Sequence, residues 1–134
     1  MSQENVELVW QRAGHFTATG EVEDDWYDPD FVWDMSTFAG WPEKKHYHGV
    51  AGFREFLSEW LEAWDDWHIE LAHVHDAEGD RVVSVFRQTG KSKHTGLDVT
   101  MTFATVSTLR DSRTLRVQAY TTPEEALEAV GLPE

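Results

Sequence analysis

Apolar residues recur every three or four positions in three stretches of this chain, and every second position in most of the rest. Between Asn5 and Ala18, the residues Val6, Val9, Trp10, Ala13, Phe16 and Thr17 repeat at helical spacing among Glu4, Glu7, Gln11 and Arg12. This predicts an amphipathic helix that Gly20 ends. Glu21 to Tyr27 reads as a short second helix, followed by a turn at Asp28-Pro29-Asp30 and a strand over Phe31 to Ser36. Thr37 to His48, with Gly40 and Pro42, reads as a loop. The strongest helical signal covers Gly49 to Trp64. There Phe53, Phe56, Leu57, Trp60, Leu61 and Trp64 make one stripe, and Arg54, Glu55, Ser58, Glu59 and Glu62 face away from it.

From Trp67 the period shortens to two. Four strands are predicted, near Trp67 to Asp76, Arg81 to Thr89, Leu97 to Leu109 and Leu115 to Thr121. Short separators such as Glu78-Gly79-Asp80 imply antiparallel pairing. A last helix starts after Thr122, with Pro123 at its first position and Glu125 placed to close a capping box. Helices first and a meander after them give an α+β fold: helices on one face of a curved, mainly antiparallel sheet, with room between for a core or a cavity.

The order of elements carries a resemblance. Thr19-Gly20, the run Tyr27-Asp28-Pro29-Asp30-Phe31-Val32-Trp33-Asp34, the Tyr47-His48-Gly49 step and the Glu124-Glu125-Ala126-Leu127-Glu128-Ala129 tail together resemble the SnoaL-like branch of the nuclear-transport-factor-2-like superfamily. The resemblance implies a cone-shaped roll around a hydrophobic cavity, with dimerisation through the outer sheet face. That superfamily holds ketosteroid isomerases, polyketide cyclases, epoxide hydrolases, dehydratases and members with no demonstrated activity, so the fold leaves the chemistry open.

Composition narrows the field. The 134 residues suit one domain, 1–134. With 25 acidic against 11 basic residues the chain carries −14, which disfavours nucleic acid and anionic membrane as partners. There is no cysteine, which excludes thiolate nucleophiles, disulfides and iron–sulfur ligation. No apolar run is long enough to span a membrane and the first residues are polar, so a cytoplasmic location is expected.

By the resemblance, Asp34 stands where the isomerases carry their proton-abstracting acid, and an apolar cavity would raise its pKa towards neutrality. Strand alternation sets Val32, Asp34 and Ser36 on one face and Phe31, Trp33 and Met35 on the other, and does not itself say which is interior. The isomerases' two oxyanion donors fall at Ala13 and near Thr105, and the epoxide hydrolases' Asp-Arg-Asp set falls near Val82, Ser84 and Ala119, so neither set is complete. A cavity wall is predicted from Trp60, Phe86, Met101 and Phe103, with Ser84, Thr105, Gln118 and Tyr120 as polar points. The pairs His46/His48 and His73/His75 read as solvated; no metal and no cofactor is expected.

Two functions follow. One is a cofactor-independent isomerase, cyclase, dehydratase or hydrolase for a hydrophobic small molecule, with Asp34 as general acid/base and Tyr120 or a histidine such as His15 as proton donor. The other is a non-catalytic binder of a hydrophobic metabolite, or a homodimeric interaction module.

Overall fold

The computed structural model describes residues 2–132. Helix α1 (Ser2–Thr19) leads through a 3-10 turn at Asp24–Trp26 into β1 (Tyr27–Asp34). Strand β2 (His46–His48) precedes α2 (Gly49–Leu61). Four strands follow, β3 (Trp64–Ala77), β4 (Arg81–Ser92), β5 (Asp98–Arg110) and β6 (Arg113–Tyr120), and α3 (Pro123–Ala129) closes the chain. One six-stranded sheet runs in the order β2-β1-β6-β5-β4-β3. The β1–β6 pair is parallel and every other pair is antiparallel. The expected α+β roll is therefore present.

Local chemistry explains where the boundaries differ from expectation. Asp28-Pro29-Asp30 does not turn the chain; it sits within β1, where the register against β6 shifts between Tyr27 and Val32. Asp28 Oδ1 accepts from the Asp30 N–H at 2.9 Å, so a local side-chain bond replaces a ladder bond at this bulge. The second helix shrinks to its 3-10 turn. The expected loop contains β2, whose Tyr47 pairs with Trp33. Gly49, at φ +72°, turns the chain from β2 into α2, a conformation that only glycine adopts without strain.

Helix α2 buries Phe53, Phe56 and Trp60 as its stripe predicts, but it ends at Leu61. Trp64 instead begins β3 and lays its ring across Gly90 of β4, where a Cβ would come within 3.2 Å of the indole. Two register shifts in β3, between Asp65 and His68 and between Leu71 and His73, bend this edge strand and curl the sheet.

The curl gives the sheet a concave and a convex face. Ser84, Phe86, Phe103, Val117 and Ala119 face inward toward α1 and α2. Val83, Val85, Ala104 and Val106 face outward, where Ala126, Leu127 and Val130 of α3 cover them. Helix α3 is capped by Thr122, whose hydroxyl accepts from the Glu125 N–H at 3.2 Å. No helix among the described residues is long and apolar enough to cross a membrane.

Candidate functional site

Between α1, α2 and the concave face lies a cavity of about 130 Å³. Aromatic rings make much of its wall. Phe53 sits 4.7 Å from Trp33 and 6.0 Å from Tyr27 by ring centroids, and Phe86 stacks on Phe103 at 5.5 Å. Trp60 closes the far side, edge-on to Phe38 at 5.7 Å. Gln88 fixes two of these rings: its Oε1 accepts from Trp60 Nε1 at 3.2 Å and from Trp67 Nε1 at 2.9 Å. Both indole donors are thereby satisfied, and the ring planes are held against the cavity.

Polar groups enter this apolar wall at two places. On the sheet, Ser84 and Thr105 are paired across β4 and β5, with Ser107 and Thr114 nearby in the lining. Ser84 is 1% exposed and its hydroxyl has no hydrogen-bond partner; the Trp33 Nε1 is likewise buried and unpaired. An unmade buried hydrogen bond costs about 1–3 kcal/mol, so these two groups present unused hydrogen-bonding capacity within the aromatic wall. At the other place, Arg12 of α1 and Tyr27 of β1 line the wall beside Trp26. Burial lowers the Arg12 pKa, with the charge of Asp25 and the Tyr27 hydroxyl pulling the other way. The guanidinium nevertheless stays charged at neutral pH. Burial raises the Tyr27 phenol well above its ordinary value, against Arg12 and Arg54, so it remains a neutral donor. Among the described residues no aspartate, glutamate or histidine lines the cavity.

Five of the residues expected in the wall are there: Trp60, Ser84, Phe86, Phe103 and Thr105. Met101 shares their strand face and packs against the same aromatic cluster, but it stands outside the cavity lining. Ala13 and Thr105, at or near which the resemblance sets the isomerases' oxyanion donors, both line the cavity and bring no acidic donor to it.

Asp34, Gln118 and Tyr120 are elsewhere. Trp33 and Met35 take the inward positions of β1, so alternation sends Asp34 to the convex side. Asp34 is nevertheless 1% exposed. Its Oδ1 accepts from the Ser36 N–H at 2.8 Å; its Oδ2 pairs closely with Arg116 and lies 3.5 Å from His46 Nε2. Burial pushes the carboxyl up, but the bonds from Ser36 and the charges of Arg116 and His46 outweigh it and hold Asp34 below the usual carboxylate range. The expected geometry, a base with a raised pKa inside the cavity, is not what the structure shows. Gln118 lies beside Asp34 in the β1–β6 register and its Nε2 donates to Thr37 Oγ1 at 3.2 Å. Tyr120 packs toward α3. His15 is exposed and meets Trp26 edge-on at 5.6 Å. No cluster of three or more metal-ligating side chains occurs among the described residues.

Arg12 and Tyr27 escaped the sequence reading. Arg12 lies three residues after Val9 and four before Phe16, on the rim of the inward stripe of α1. That spacing was the available signal.

A curved sheet closed by helices around an aromatic cavity defines the cone-shaped proteins of the nuclear-transport-factor-2-like fold. The family model for the SnoaL-like domain matches residues 10–117, and the chain belongs to that family. TerC, co-crystallised with polyporic acid, is similar at 22% identity and a TM-score of 0.68, over 94% of this chain and 96% of that one. A protein described as a SnoaL-like polyketide cyclase from Jannaschia sp. CCS1 is similar at 21% identity and a TM-score of 0.69, over 99% and 95%. Bal32a, from a soil-derived mobile gene cassette, reaches a TM-score of 0.75 at 14% identity, over 96% and 97%. Identities this low speak for the fold alone. No curated protein matches the sequence.

Proposed function

We propose that this protein binds a small, mostly apolar molecule of about one ring in the cavity, with Ser84 and Trp33 supplying hydrogen bonds to it. The observation that carries this reading is the pair of buried, unpartnered polar groups in a mostly apolar wall. Size limits the ligand. A cavity of about 130 Å³ is close to the ~150 Å³ engineered cavity that takes benzene, and well below the ~300–1,000 Å³ of drug-sized pockets. Steroids and fused polyketides are too large for it as it stands.

The wall favours binding over proton transfer. A general base must reach the carbon acid it deprotonates, and the buried carboxylate of Asp34 is turned to the other side of the sheet. TerC's polyporic acid supports small-molecule use of this fold. We include in the same reading a homodimer that pairs through the part of the convex face left beside α3.

Tryptophan fluorescence during titration with benzyl alcohol, 2-naphthol and a hydroxysteroid tests the proposal. Benzyl alcohol is expected to saturate the signal and the steroid to leave it unchanged. Ser84→Ala should weaken benzyl alcohol by about three- to tenfold, the range of one hydrogen bond, while the ligand-free protein gains about 1 kcal/mol of stability. Silence toward all three probes, or preference for the steroid, contradicts the proposal.

A further inference from the structure

We propose that the cavity's ligand is an anion, a ring-hydroxylated arylalkyl carboxylate whose ring lies among the aromatic residues with its hydroxyl at Ser84 and Trp33, and whose carboxylate is held by Arg12 and Tyr27. The inference rests on the cavity as the binding site and adds the chemical class of the ligand.

The chain has 25 acidic side chains, and six of its 11 basic ones pair with carboxylates: Lys44, Arg54, Arg87, Lys93, Arg110 and Arg116. Arg12 has no carboxylate within ion-pair distance among the described residues, although acids outnumber bases more than twofold. Its guanidinium is half-buried against an apolar wall instead of extending into water. Its one hydrogen bond runs from Nη1 to the Trp26 carbonyl oxygen at 3.4 Å, and the group stands 5.9 Å from the Trp26 ring centroid. A guanidinium carries five N–H donors in a planar fork, so most of this donor capacity is unspent.

Next to it, Tyr27 lines the same wall, its phenol lies within reach of the Arg12 charge, and its hydroxyl has no hydrogen-bond partner among the described residues. Its ring is fixed by Phe31 at 4.6 Å and Phe53 at 6.0 Å, so the donor is held in place before any ligand arrives. A planar anion suits this pair: the fork of Arg12 can take both oxygens of a carboxylate, and Tyr27 can donate to one of them. Asp25, exposed on the 3-10 turn, is the acid whose charge Arg12 feels most. Beyond ion-pair distance, it competes with a ligand anion without cancelling the site.

The test is calorimetric titration with 4-hydroxyphenylacetate, 3-(4-hydroxyphenyl)propanoate and 4-(4-hydroxyphenyl)butanoate, each beside its neutral amide. The best acid is expected to bind at least tenfold more tightly than its amide. Arg12→Gln should remove that preference while the amide keeps its affinity within about twofold. Asp25→Asn, an exposed substitution that the fold tolerates, should tighten the acid about threefold and leave the amide unmoved. Equal binding of acid and amide by the unaltered protein, or an Arg12→Gln loss shared by both, overturns the anion assignment and leaves the cavity reading standing. Failure of every acid and every amide to bind overturns both.

Discussion

Phe53→Ala is expected to lower the unfolding free energy by about 3–5 kcal/mol, as large-to-small changes of a buried phenyl ring do. Phe53 stands at the centre of the aromatic cluster, with Phe16, Tyr27, Phe31, Trp33 and Phe56 all within 6.3 Å by ring centroids. It comes from the middle of α2, so its removal loosens the helix from β1 and the sheet together. The space it leaves opens into the cavity, which prevents the neighbours from collapsing onto the gap; a cost at the upper end of the range is expected. Leu61→Ala provides the contrast. Leu61 ends the same helix at 40% exposure, and truncating it should cost well under about 1 kcal/mol. Urea denaturation followed by far-ultraviolet circular dichroism measures both, with an unchanged slope showing that the same cooperative unit unfolds. A Phe53→Ala loss as small as that of Leu61→Ala contradicts the central place given to this ring.

The second large effect concerns Asp34. Asp34→Asn keeps the shape and an acceptor for the Ser36 N–H but removes the charge that faces Arg116 and His46. Breaking a buried ion pair costs about 3–5 kcal/mol; because Arg116 is 42% exposed and can rehydrate, a loss of about 2 kcal/mol at pH 7 is expected. The pH dependence has a definite sign. Asp34 is held below the usual carboxylate range, so the unfolded chain takes up its proton first as pH falls. The stabilisation from this group is therefore fully present above about pH 4 and is lost as pH drops through the folded-state value. Unfolding curves of the two proteins at pH 7 and at pH 3 should show the gap narrowing at the lower pH. Affinity for a cavity ligand should stay the same. A variant of unchanged stability that no longer binds ligand would place Asp34 in the site after all.

These two residues also show how far the sequence could be read. The α2 stripe was legible because helical spacing alone fixes which side Phe53, Phe56 and Trp60 share, and a helix over a sheet has only one side to bury. The β1 alternation was legible too, but not its phase. Phe31, Asp34 and Met35 are all nearly fully buried, so burial occurs on both faces of this strand. What buries Asp34 is non-local: Arg116 arrives through the parallel β1–β6 pairing and His46 through β2, a three-residue strand inside a stretch that reads as loop. No local pattern encodes either contact. The SnoaL-like resemblance fixed the architecture and matched Asp34 of β1 to an isomerase acid, yet the isomerase role depends on the direction of that one side chain. Conversely, Ser84 was legible as inward from the β4 alternation, whereas its lack of a partner emerges only when the opposite wall is in place.

Indole ¹H–¹⁵N correlation spectra test the cavity as the binding site most directly. Seven tryptophans give seven reporters, and Trp26, Trp33, Trp60 and Trp67 line the cavity while Trp10 is exposed on α1. On saturation with a one-ring ligand the four lining resonances should shift, that of Trp33 most strongly because its N–H gains an acceptor, and that of Trp10 should stay fixed. Ligand saturation that leaves these four unmoved, or that shifts only groups around Arg116 on the convex face, contradicts the account.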